Sequence, residues 1–127
     1  MPTPCRILNV ALNESLSKMR SAILTGAGYE VVSALNILEV ERACKKYRSF
    51  DLVIIGYALP KLEKRRTMTT VRKLCGATPI LELYPHGTAP VDEEADEELP
   101  SADEPEPLLT KVKEILAKKG KKRQAAS

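Results

Sequence analysis

The side chains of this sequence that could act as acids, bases, nucleophiles or metal ligands are scattered rather than clustered. His86 is the single histidine. No carboxylate or nucleophile stands at a defined spacing from it, so a role as base or phosphoryl carrier lacks a partner and a plain loop histidine is expected. Cys5, Cys44 and Cys75 are an odd number without metal-ligand spacing, and two of them fall on apolar faces of expected helices. Reduced core thiols follow, with redox or zinc roles far behind. Nine acids and no base lie between positions 92 and 106, a composition that suits a solvated loop. Bases gather at Lys61, Lys64, Arg65, Arg66, Arg72 and Lys73, the default reading being a solvated helix face. A second set runs from Lys111 to Arg123, seven bases against Glu114 alone. Together the two sets could form a phosphate-binding stripe. Yet there is no glycine-rich phosphate loop or G-x-G-x-x-G fingerprint, and aromatics at 4% with no Trp give base stacking little to build on.

The elements that must position these residues follow from periodicity. With 127 residues, 43% of them hydrophobic, the chain can bury one core of ordinary size. It has no run of about 18 apolar residues and no leader-like N-terminus, so a cytoplasmic protein with no membrane contact is expected. Residues 5 to 12 form a short apolar run suited to a buried strand, and Asn13 can cap a helix over 14 to 25 with Leu16, Met19, Ala22 and Ile23 at helical spacing. Residues 29 to 34 read as a second strand. Val40, Ala43, Cys44 and Tyr47 mark a second helix. In Phe50-Asp51-Leu-Val-Ile-Ile-Gly56, four aliphatics without polar alternation imply a strand buried on both faces. A third helix over 62 to 74 turns Met68, Val71 and Cys75 inward and closes at Gly76, and 79 to 84 is a fourth strand. Periodicity fails from 85 to 107, where Leu99 alone hints at a strand. It returns at 108 to 119 with Leu108, Leu109, Val112, Ile115 and Leu116 on one stripe. Strands alternating with helices argue for an open parallel α/β sheet, in which functional groups gather beyond the C-terminal strand ends.

The segment Asp51-Leu-Val-Ile-Ile-Gly56-Tyr-Ala-Leu59-Pro60 resembles the stretch of response-regulator receiver domains in which a buried strand ends at the phospho-acceptor aspartate and a Leu/Met-Pro pair follows three residues later. Arg6-Ile-Leu-Asn-Val, Gly28-Tyr29-Glu-Val, Thr78-Pro79-Ile80 and Pro107-Leu-Leu-Thr-Lys-Val-Lys-Glu-Ile-Leu match further pieces in family order. The resemblance implies a flavodoxin-like sheet of order 2-1-3-4-5, the fourth helix shortened or missing and the fifth strand unsettled. Its span places a receiver-like domain over 1–119, and the basic composition of the C-terminal end implies a disordered tail over 120–127.

Family chemistry requires an acidic pair that holds Mg²⁺, an aspartate nucleophile, a Ser/Thr and a Lys. Carried onto this sequence, the acidic pair falls on Ala11 and Leu12, the nucleophile on Gly56, the hydroxyl on Tyr84 and the lysine on Ser101. None of these can do the work. Asp51 lies roughly 16 Å from Gly56 at the far end of an extended strand and cannot substitute. A degenerate receiver without metal or cofactor is therefore expected: no enzyme, but a phosphorylation-independent interaction module in two-component signal transduction. Its partners would be another signalling protein or a second copy of itself, met through the sheet's C-terminal edge or the face near Pro85 to Leu109, with Tyr57, His86 and Leu99 as candidate contacts. The competing reading, on weaker support, is a nucleic-acid-associated adaptor using the basic C-terminal tail.

Overall fold

The run Leu52–Ile55 forms strand β3 with all four side chains buried, as expected for a strand covered on both faces. The computed structural model describes residues 5–47, 49–56, 59–84, 95–100 and 105–126. Strand β1 (Arg6–Val10) lies beside β3 and is followed by α1 (Glu14–Gly26), β2 (Glu30–Ala34) and α2 (Ile37–Tyr47). After β3 come α3 (Lys61–Cys75), β4 (Ile80–Tyr84), β5 (Glu97–Pro100) and α4 (Pro105–Ala126). The sheet order is β2-β1-β3-β4-β5 with every neighbouring pair parallel, the flavodoxin-like arrangement expected. Leu99 lies opposite Leu83, so the faint strand signal at Leu99 marks a real edge strand.

Alternation along the strands divides the core into two layers. Val10, Val53 and Ile55 face α2 and α3, joining Val40, Cys44, Met68 and Val71. Ile7, Leu52, Ile54 and Leu83 face the other way, joining Leu24 of α1 and Leu108, Val112 and Ile115 of α4. Local signals fix the helix ends. The Asn13 side chain accepts from the Leu16 amide at 3.0 Å, and the Asn36 side chain from the Glu39 amide at 2.9 Å. Gly76 ends α3 at φ 69°, a backbone setting that favours glycine.

Two expectations need correction. Helix α1 buries Ser17, Arg20 and Leu24, whereas Met19 and Ala22 are exposed. Its inward stripe is in phase with the Asn13 cap, and the apolar residues alone misplace it. Lys64, assigned to a solvated face, is 1% exposed. Helix α4 runs on through Ala126. The expectation of a shortened or missing helix falls on 85–94, outside the described residues, and among the described residues no helix separates β4 from β5. No helix among them is long and apolar enough to cross a membrane.

Two local clusters yield testable consequences. The Cys75 thiol donates to Cys44 Sγ at 2.8 Å across the α2–α3 contact, and both are buried. Burial first, then the hydrogen bond with Cys75, pushes the Cys44 thiol up to about 12, and burial raises Cys75 as well. Since the thiolate is the reactive form, a disulfide reagent at neutral pH should titrate one thiol per chain rapidly, the half-buried Cys5, and the other two only on unfolding. Two fast thiols would contradict this packing.

On the opposite layer, Glu97 of β5 accepts from Lys118 at 3.0 Å and pairs with Lys111 at 3.2 Å on α4. The hydrogen bond from Lys118, then that from Lys111, holds its carboxyl below the ordinary 4.5. A folded-state value below the unfolded one stabilises above the unfolded value and is lost as pH falls through the folded one. Glu97→Gln should therefore flatten the loss of thermal stability on acidification below about pH 4.5, by a few tenths of a kcal/mol because Lys118 is largely exposed. Parallel acid profiles for the two proteins would remove Glu97 as a clasp between β5 and α4.

Candidate functional site

Parallel strands of one sheet deliver their C-terminal ends to one edge, which is where residues from different strands can meet. Val10 lies opposite Ile55, and the Gly56 amide donates to the Val10 carbonyl at 2.8 Å. The ends of β1 and β3, with Ala11 and Gly56, are thus locked side by side. Ala11 is buried, its amide tied to the Ala34 carbonyl at 3.1 Å, whereas Leu12 turns outward at 46% exposure. Tyr84 ends β4, one strand further on, and is half-buried. Leu99 packs against the layer under α1 and α4, which makes it a core contact of β5. Tyr57, His86 and Ser101 lie outside the described residues. Asp51 sits at the opposite end of β3, where its carboxylate accepts from the Arg6 amide at 2.8 Å.

Gly56 is buried, and the space beside it is filled. A Cβ built on Gly56 would stand 2.6 Å from Arg20 Nη1 and 3.2 Å from the Val10 carbonyl oxygen. Strand alternation turns position 56 to the same side as Ile54, toward α1, and α1 carries Arg20 inward at 0% exposure. The guanidinium thus reaches the strand ends from below and takes the volume a side chain at 56 would need.

A second cation reaches the same edge from the other layer. Glu82 lies opposite Ile55 in β4, both fully buried, and its carboxylate accepts from Lys64 Nζ at 3.2 Å. The same ammonium donates to the Leu83 carbonyl at 3.0 Å, so α3 is clamped to the last residues of β4. Arg20 was not singled out from the sequence and Lys64 was read there as part of a solvated face, although both have a helical signature. Arg20 lies in the 13-17-20-24 stripe, and Lys64 in the 64-68-71-75 stripe whose other members were expected inward.

Chemically, the described edge offers two buried cations, one of them paired with Glu82, and no carboxylate at position 11, 12 or 56. No group of three His, Cys, Asp or Glu side chains able to hold a metal ion occurs among the described residues. The two basic regions do not merge: α3 covers one face of the sheet and α4 the other, so they cannot form a single stripe.

No family model and no curated protein matches the chain. Solved structures do. A protein assigned as a response regulator in Chloroflexus aurantiacus is 30% identical, with a TM-score of 0.78 over 91% of this chain and 99% of that one. Chemotaxis protein CheY4 of Vibrio cholerae is 28% identical, with a TM-score of 0.77 over 89% of this chain and 99% of that one. A response regulator receiver domain protein of Methanospirillum hungatei is 26% identical, with a TM-score of 0.77 over 94% and 99%.

Proposed function

This chain belongs to the response-regulator receiver family, and we propose that within it the chain is a pseudo-receiver: a non-enzymatic interaction module of signal transduction that works without phosphorylation. The observation that carries this reading is the Arg20 guanidinium seated where a side chain at 56 would be, 2.6 Å from the position of its Cβ. Gly56 stands at the acceptor position and has no carboxylate to form an acyl phosphate. Beside it, Ala11 and Leu12 stand where the metal-binding acids belong.

A divalent cation needs hard oxygen ligands with negative charge. Two apolar side chains, a glycine and a buried guanidinium are the reverse of that donor set. The residues therefore do not fit magnesium. Arg20 takes the place both of the charge the metal would bring and of the side chain it would serve. The Lys64–Glu82 clamp on β4 favours one fixed arrangement of that strand end, as a module with constant rather than switched output requires.

The partner is a protein. A continuous nucleic-acid stripe built from α3 and the α4 tail is disfavoured because the two helices cover opposite faces. The test is incubation with acetyl phosphate and Mg²⁺ followed by intact mass measurement. The expected spectrum shows the unmodified chain only, while an added phosphoryl group that hydroxylamine removes would overturn the proposal.

A further inference from the structure

Outside that edge, the α2–α3 layer presents a surface of one charge sign. Helices α2 and α3 carry seven exposed bases, while their three acids, Glu39, Glu41 and Glu63, are all half-buried. Glu39 is engaged locally, its carboxylate accepting from the Leu35 amide at 2.8 Å. Arg42 and Lys45 of α2, with Lys61, Arg66 and Lys73 of α3, are exposed, and none of these five takes part in an ion pair among the described residues. Such a field attracts a polyanion and speeds its arrival.

Charge alone does not choose between nucleic acid and protein, but the apolar groups on the same surface do. Leu38 at 55% exposure and Leu62 at 60% stand in the first turns of α2 and α3. Leu38 lines a cleft of about 340 Å³ together with Asn36, Ile37 and Glu63, the residue that follows Leu62 in α3. Phosphates gain nothing from exposed leucines. No aromatic side chain among the described residues is exposed for base stacking. Leucines ringed by bases suit a protein segment with apolar anchors ringed by acids, because a buried apolar anchor supplies affinity and the rim charges supply orientation and rate.

We propose that the outer face of α2 and α3 docks an acidic, leucine-bearing helical segment of another protein, with Leu38 and Leu62 as its apolar contacts and the bases of α2 and α3 as its rim. This rests on the interaction-module reading, but a phosphoryl adduct at the strand edge would overturn that reading and leave this surface intact. The test uses the full chain and a fluorescein-labelled peptide of four Glu-Glu-Leu-Glu repeats, whose leucines share one helical face. The same peptide with serine for leucine and a DNA duplex of equal charge are the comparators.

Anisotropy at low salt should show the leucine peptide binding at least about tenfold more tightly than the serine peptide, with the preference lost in the L38S/L62S protein. K61E/R66E should weaken the leucine peptide by about tenfold or more. All four positions are exposed, so unchanged melting temperatures will certify the fold of the variants. Equal binding of the two peptides, no binding of the leucine peptide, or indifference to K61E/R66E would each overturn the proposal. Tighter binding of the duplex would overturn it in favour of a nucleic-acid surface.

Discussion

Lys64→Met should lower the stability of the chain by about 3–5 kcal/mol, since it leaves the Glu82 carboxylate buried without the ammonium that faces it. For a domain of this length that is a drop on the order of 10–20 °C in Tm. Combining Lys64→Met with Glu82→Leu should recover most of the loss, because two apolar side chains replace a pair whose attraction had to offset the desolvation of both ions. The Leu83 carbonyl, which also accepts from Lys64, would keep the double variant somewhat below the parent. Lys61→Met, one turn earlier but exposed, is the control and should stay within about 0.5 kcal/mol. Because neither partner touches solvent, added salt should barely alter the single variant's deficit. Urea denaturation of the four proteins measures all of this. A Lys64→Met protein as stable as Lys61→Met would mean that the ammonium is not in the core.

This clamp also shows where the sequence was legible and where it was not. The four-aliphatic run of β3, the Asn13 cap, the Gly76 stop and the apolar stripe of α4 each announce themselves by residue type, because burial on both faces, capping and positive φ admit few alternatives. The strand order came with the family resemblance, since periodicity alone says parallel sheet without saying which strand lies centrally. At the edge, the family resemblance assigned site positions to Ala11, Leu12 and Gly56, whose residue types are read directly from the sequence. It could not show what had taken the space. Arg20 and Lys64 are long cations, and residue-type reasoning sends such side chains to the surface, where most of them belong. Their positions in inward stripes were visible, but a stripe containing one cation reads first as a stripe that is shifted in phase. Only three-dimensional packing separates the two readings, by showing Met19 outside and Arg20 inside.

Substitution at Gly56 should expose the arginine directly. Gly56→Ala places a Cβ 2.6 Å from Arg20 Nη1, closer than real contacts allow, so the guanidinium or the strand must shift, at an expected cost of about 1–3 kcal/mol. In an Arg20→Ala background the nearest obstacle is gone and the same substitution should cost far less. A double-mutant cycle should therefore return a coupling of about 1 kcal/mol or more between positions 56 and 20. Gly56→Asp adds the chemistry. The new carboxylate meets the guanidinium, so Gly56→Asp should be more stable than the equally large Gly56→Asn by about 1–3 kcal/mol at neutral pH. An aspartate paired with arginine has its folded-state pKa below the unfolded one, so that advantage is present above the unfolded value and fades as pH falls through the folded one. The same pairing should deny the aspartate to acetyl phosphate, because the carboxylate is held by a cation and no neighbouring acid at Ala11 or Leu12 can bring in magnesium. Equal stabilities for the Asp and Asn proteins, or a cycle with no coupling, would place Arg20 elsewhere and leave the space beside Gly56 empty rather than filled.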